Sequence, residues 1–366
     1  MLMPLDLLLP LGGLLFLLPL NPLLSSVPAA AWVMAQLVLA PKQKRWALWP
    51  LAMVVMLMAR TWWLNEMPHP ASSQDGLLLV ASLLAATGVS QTRWPWLLRF
   101  SLLPLPLLLT QISAKPWTSN PLVGANQAAY LLGLLLIIAI AWCWQRTAPL
   151  AVLSAILALL MVWQTSSRAA LLSSVLALGF VYLRERSKET RLLPNLLILI
   201  ALAIAGLAGK QLLSPSANGI PGLDPRSDMG RLAIGQCYFN LPFSGNNRLL
   251  HGVGFERPKE FCHQIINGGI ADHAHNLYLQ LWANSGLLGL IGLGLLITLL
   301  LNSWRQSEGL LEPLTRRVGK AALVYTLLQC FFDVSLIHWP ITIVFTGILL
   351  AIPLSVDSSV TVPDGR

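Results

Sequence analysis

The residues able to do chemistry in this chain are few, and they crowd into one stretch. Asp272-His273-Ala274-His275-Asn276 stands directly before the apolar run 277–290. A free imidazole accepts a proton at neutral pH because its ordinary pKa lies near ~6.5. His275 is therefore a candidate general base, the plain alternative being a satisfied histidine at a helix start. Asn276 offers an amide that can orient a neighbouring ring or a substrate hydroxyl. His273, with His251 and His263 upstream, raises the question of a metal. The spacing fits no standard metal signature, and in an extended or capped segment the two rings are expected to point apart. No metal and no cofactor is expected.

Two arginines supply candidate anion ligands. Arg168, in Ser166-Ser167-Arg168-Ala169-Ala170-Leu171, is the only charge in a long apolar stretch. An ionised side chain near a membrane interior costs at least about 2.5–3.5 kcal/mol. It either snorkels to the interface or meets an anion. Arg231 opens an amphipathic segment, where it is either a solvated partner of Asp224 or Asp228 or a second anion contact. His251-Gly252-Val253-Gly254-Phe255 reads as a turn or as backbone pliant enough to approach a phosphate. Arg60, Glu66 and His69 read as interface or solvated groups. Asp333 and His338, at the outer end of an apolar run, are functional candidates because intramembrane acids seldom lack a role.

These residues must be held by membrane-spanning helices. The chain has 366 residues, 55% hydrophobic and 11% charged, against about 25% charged in an ordinary soluble domain. A large core cannot explain the deficit, since a soluble chain of this size still needs a polar surface. The apolar residues fall in runs long enough to cross a bilayer, and about twelve candidate spans emerge. Their centres lie near Leu14, Met34, Val54, Leu83, Leu105, Gly133, Ala158, Val175, Leu199, Leu288, Leu328 and Thr346. The expected fold class is an all-α membrane protein: helices 1–9 over residues 1–212, a long loop outside the cytoplasm over 213–272, helices 10–12 over 273–355, and a cytoplasmic tail over 356–366.

The net charge of +9 raises the possibility of nucleic acid, but its distribution argues against that partner. The cations sit in alternate linkers: Pro41–Arg45, Arg93, Arg146, Arg184–Arg191 and Arg305–Lys320. That is the bias of cytoplasmic loops, and it sets both termini inside. The long insert is then outside the cytoplasm, where Cys237 and Cys262 either pair or stay free thiols. His275 comes at the outer start of a span, where unpaired amides and partial positive charge favour anions. Gly286, Gly289 and Gly292 downstream are expected to form a smooth packing stripe.

At these residues the sequence resembles the O-antigen ligase family, which includes related polysaccharide polymerases and protein O-oligosaccharyltransferases. His275-Asn276, nine residues and then Gly286-Leu287-Leu288-Gly289 is similar to the family's His-Asn…Gly-x-x-Gly pattern after its large periplasmic loop. The segment around Arg168 looks like its outer Ser-Arg element. Gly230–Gly235 followed by His251–Glu256 looks like its loop arginine and Gly-x-Gly element, and Gly124–Leu132 weakly resembles its asparagine-containing sixth span. The resemblance covers mainly 124–290. Asn284 departs from it, standing where relatives often carry an acid.

The resemblance implies glycosyl transfer on the periplasmic face of the bacterial inner membrane. The donor would be an undecaprenyl-diphosphate-linked glycan and the acceptor lipid A-core or another glycan, with membrane lipid around both. His275 would be the catalytic base. Arg168, Arg231, Asn276, His273, Gly252 and Gly254 would be the substrate-binding residues. A polymerase of the same superfamily is the nearest alternative, and a transporter of small anions such as bicarbonate is the alternative from another class.

Overall fold

The computed structural model describes residues 3–17, 24–39, 71–107, 125–165, 167–185, 225–245, 247–254, 257–262, 265–266, 269–270, 273–334, 336 and 339–356. The expected spans centred on Val54 and Leu199 lie outside the described residues, as do Arg60, Glu66, His69, His263, Asp272 and His338.

The described chain is helical. Its principal helices are α1 (Leu8–Leu17), α2 (Ser26–Leu39), α3 (Ala71–Thr87), α4 (Ala125–Gln145), α5 (Pro149–Gln164), α6 (Arg168–Arg184), α7 (Pro225–Asn240), α8 (Leu277–Ser307), α9 (Pro313–Phe332) and α10 (Pro340–Leu350). Short turns at Trp94–Phe100, Pro104–Leu107, Arg248–His251 and Pro258–Phe261 lie between them. The one described sheet is a minimal antiparallel pair, β1 (Ile265–Ile266) and β2 (Gly269–Ile270). Two segments, Asn126–Gln145 and Leu277–Ser307, are long and apolar enough to cross a membrane. At about 1.5 Å per residue, a 20-residue segment matches a hydrocarbon core of about 30 Å.

Helix α4 runs through the centre of the bundle, buried from Ala128 to Ala141. An all-apolar helix of this kind is enclosed on every side. Its polar residue Tyr130 is bonded throughout. The hydroxyl lies 3.1 Å from Thr326 Oγ1 of α9 and accepts from Thr346 Oγ1 of α10 at 3.2 Å, while Tyr325 donates to the Tyr130 carbonyl at 3.0 Å. A buried hydroxyl left unbonded would cost about 1–3 kcal/mol, so these contacts fix how α4, α9 and α10 meet.

The two ends of α9 differ in character. At its start, Glu185 at the end of α6 accepts from Arg316 Nε at 2.8 Å and Arg317 Nε at 3.0 Å, with Lys320 Nζ at 3.7 Å. Lys320 also pairs with Glu308 just beyond α8. Burial works against the Glu185 charge, but the hydrogen bonds and charges of Arg316 and Arg317 outweigh it and hold the carboxyl below its usual range. At the other end, about 25 Å away at the helical rise, stands Asp333. Arg316, Arg317 and Lys320, three of the cations that mark one side of the sequence pattern, thus lie toward the opposite end of α9 from the acid.

Candidate active site

The site forms where α8 begins and α9 ends. Asn276 caps α8, its Oδ1 accepting from Leu279 N at 3.0 Å. Its Nδ2 donates to the carbonyl of Phe331, one of the unpaired carbonyls of the last turn of α9, at 3.1 Å. Tyr278 donates to Leu327 O at 2.8 Å, and its ring packs on Phe331 with centroids 4.6 Å apart. These contacts strap the start of α8 to the end of α9. Asn276 thus has a structural use at both ends of its amide.

His275 lies just before the cap with φ at +50°. A left-handed backbone is costly for a residue with a Cβ, and such strain gathers at functional sites. Its effect here is to reverse the chain. The rings of His273 and His275 come to 4.2 Å between centroids. This corrects the expectation that in an extended or capped segment they point apart: residues two apart on extended backbone share a face, and here the rings meet. Gln280 secures the reversal from inside α8: its Oε1 accepts from Ala274 N at 3.0 Å, and its Nε2 donates to Asn284 at 3.2 Å.

Both rings face Asp333. His273 Nε2 lies 4.0 Å and His275 Nδ1 3.9 Å from its Oδ1. Asp333 ends α9 in an extended conformation, and its Oδ1 also accepts from Val334 N at 2.8 Å. Its side chain is 5% exposed, against 26% for His273 and 21% for His275. His275 Nδ1 is buried with no hydrogen-bond partner among the described residues.

The glycine elements have a packing role. Helix α8 breaks at Gly286, with φ +56° and ψ −146°, so the three glycines are not one smooth stripe. The His251–Gly254 segment lies in the break. Val253 N donates to Ala283 O at 2.8 Å and Gly254 N to Asn284 O at 3.0 Å. A Cβ on Gly286 would meet Gly252 N and Leu249 O at 2.6 Å, and one on Gly252 would meet Asn284 O and Ser285 N at 2.5 Å. The two glycine motifs are thus the two halves of one backbone contact.

Helix α7 lies alongside α8 in parallel register. Gly235 faces Leu279, to which a Cβ would come within 3.5 Å, and one turn later Phe239 O accepts from Trp282 Nε1 at 2.9 Å. Arg231, one turn before Gly235 on α7, is exposed. Cys237 of α7 is disulfide-bonded to Cys262, which settles the pairing left open by sequence and ties α7 to the turn before β1. Arg168 is the first residue of α6, capped by Ser167, whose hydroxyl accepts from Ala170 N at 3.3 Å. The Arg168 side chain lies outside the described residues. Sequence reasoning missed Gln280 altogether and left Asp333 without partners, because nothing local marks which distant residues will face them.

The described chain thus combines membrane-length helices with an imidazole–carboxylate cluster at one helix end. Residues 153–294, from α5 through the insert into α8, match the family model described as O-antigen ligase. No curated protein matches the chain. The family is one of membrane proteins and of glycosyltransferase-like enzymes.

Proposed function

We propose that this chain is an O-antigen ligase-like glycosyltransferase. It moves a glycan from undecaprenyl diphosphate to a hydroxyl of lipid A-core or another glycan, on the periplasmic face of the inner membrane. The single observation that carries the reading is the placement of His275 against Asp333 at the head of α8, within reach of solvent and beside the insert.

The steps follow from the groups present. With Asp333 facing Nδ1, the proton of a neutral His275 sits on Nδ1 and the lone pair on Nε2. Nε2 takes the proton of the acceptor hydroxyl as its oxygen attacks the anomeric carbon. The bond from that carbon to the diphosphate oxygen breaks, and attack from the opposite face inverts the centre. The leaving diphosphate gains charge, which Arg231 and Arg168 neutralise; guanidinium groups suit two-point contact with phosphate. The amino end of α6 adds partial positive charge beside Arg168. Preorganised cations of this kind can stand in for a metal.

Two further features support the sidedness. A disulfide in the insert fits an oxidising compartment. The Arg316–Lys320 cluster, at the far end of α9 from the histidines, fits the cytoplasmic side.

The test is transfer by the full chain in proteoliposomes, supplied with a polyprenyl-diphosphate glycan and an acceptor. His275→Ala should lower turnover by roughly 10²–10⁴-fold while donor binding persists. Undiminished turnover would remove His275 as the base. A single transferred block marks a ligase, and a lengthening chain marks a polymerase.

A further inference from the structure

We propose that His273, His275 and Asp333 form a binding site for one divalent transition-metal ion of the zinc type, and that the bound ion switches the enzyme off. The inhibition rests on the reading of His275 as the base; the binding stands on geometry alone.

Each of the three residues offers one donor atom, and all three atoms lie within 4.8 Å of one another. The two edges to Asp333 measure 4.0 and 3.9 Å. Donors about 2.0–2.1 Å from a tetrahedral zinc stand about 3.3 Å apart. Side-chain shifts of under about 1 Å would therefore close the set. Two imidazoles and one carboxylate form a donor set that zinc accepts, with a fourth position left for water. Magnesium and calcium, which take oxygen ligands, are poorly suited.

One feature beyond the residue types points to a ligand: His275 Nδ1 is buried without a hydrogen-bond partner and faces the carboxylate. A helix cap alone does not require it.

The effect on catalysis follows from where one proton sits. In the free enzyme, Nδ1 carries the proton and Nε2 the lone pair. An ion on Nδ1 takes that nitrogen's lone pair, the ring proton moves to Nε2, and Nε2 no longer accepts one.

The test uses the full chain in lipid nanodiscs, stripped with EDTA and titrated with Co²⁺ as a spectroscopic probe, then with Zn²⁺ in competition. One equivalent should give the visible absorption of a tetrahedral cobalt site, displaced by zinc. His273→Ala and Asp333→Asn should each weaken binding by about tenfold or more. Zn²⁺ should inhibit glycan transfer over the concentration range in which it displaces cobalt. Absence of the cobalt spectrum, or binding that neither substitution weakens, overturns the site. If stripped enzyme is inactive and zinc restores turnover, the inhibitory role falls, and with it the metal-free base. If the spectrum is absent but His275→Ala still abolishes transfer, the metal site falls and the base stands.

Discussion

His275 Nδ1 lies 3.9 Å from Asp333 Oδ1, although one residue precedes α8 and the other ends α9. The distance exceeds a hydrogen bond, and catalytic contacts of this kind often tighten only when substrate is bound. Asp333→Asn should cut kcat by about 10²-fold or more with donor KM little changed, and Asp333→Glu should recover part of the loss. Steady-state transfer assays on the three proteins check this. Equal losses in Asn and Glu variants would reduce Asp333 to a structural cap.

Arg231 should act on the donor and not on the acceptor. Arg231→Ala should raise KM for the diphosphate lipid, and Arg231→Lys should restore it only in part because a lysine loses the two-point contact. Binding of the lipid donor to the purified variants measures it. Unchanged affinity would return Arg231 to a solvated charge.

The contact between Gly252 and Gly286 should be intolerant of any side chain. Gly286→Ala forces a Cβ to within 2.6 Å of Gly252 N on a backbone with φ of +56°. The strain of that conformation alone is about 1–3 kcal/mol. Both Gly286→Ala and Gly252→Ala should lower the thermal midpoint in detergent and loosen the insert to proteolysis. A side chain at Gly294, where a Cβ meets nothing within 4 Å, is the control.

Removing the disulfide should loosen the same insert. Cys237 and Cys262 are 25 residues apart, and closing a loop of that size contributes about 3 kcal/mol in the chain-entropy view. Cys237→Ser should speed cleavage between α7 and α8. Mobility on non-reducing gels, with and without thiol blocking, verifies the bond itself.

The Glu185 cluster predicts a pH dependence of stability. Its folded pKa is lowered, so its contribution is complete above the ordinary carboxylate value near ~4.3 and is lost as pH falls through the lowered folded value. Thermal midpoints should therefore drop on the acid side of that value. Glu185→Gln should be less stable at neutral pH and show a shallower acid decline. Parallel curves for the two proteins would contradict the assignment.

The helices around Gly133, Ala158, Val175, Leu288, Leu328 and Thr346 were legible as apolar runs, because the length of a run and its lack of charge are properties of the chain itself. The caps at Ser167 and Asn276 were not read from the sequence, although both are capping residue types placed directly before such runs. Nor was the break at Gly286. A glycine every third residue is as consistent with a smooth stripe as with a bend, and the bend appears only once the backbone of Val253 and Gly254 is there to bond its carbonyls.

The sequence by itself determined the class of the molecule, its all-helical character, and the proximity of His273, His275 and Asn276, which are neighbours along the chain. It also raised Asp333 as an acid in unusual surroundings. Only the tertiary structure decided that this acid faces both imidazoles, that the two rings meet, and that Cys237 pairs with Cys262. Local composition and periodicity report on neighbours a few residues away. Which helix ends meet depends on packing among α4, α8, α9 and α10, a sum over many distant contacts that no single stretch of sequence records.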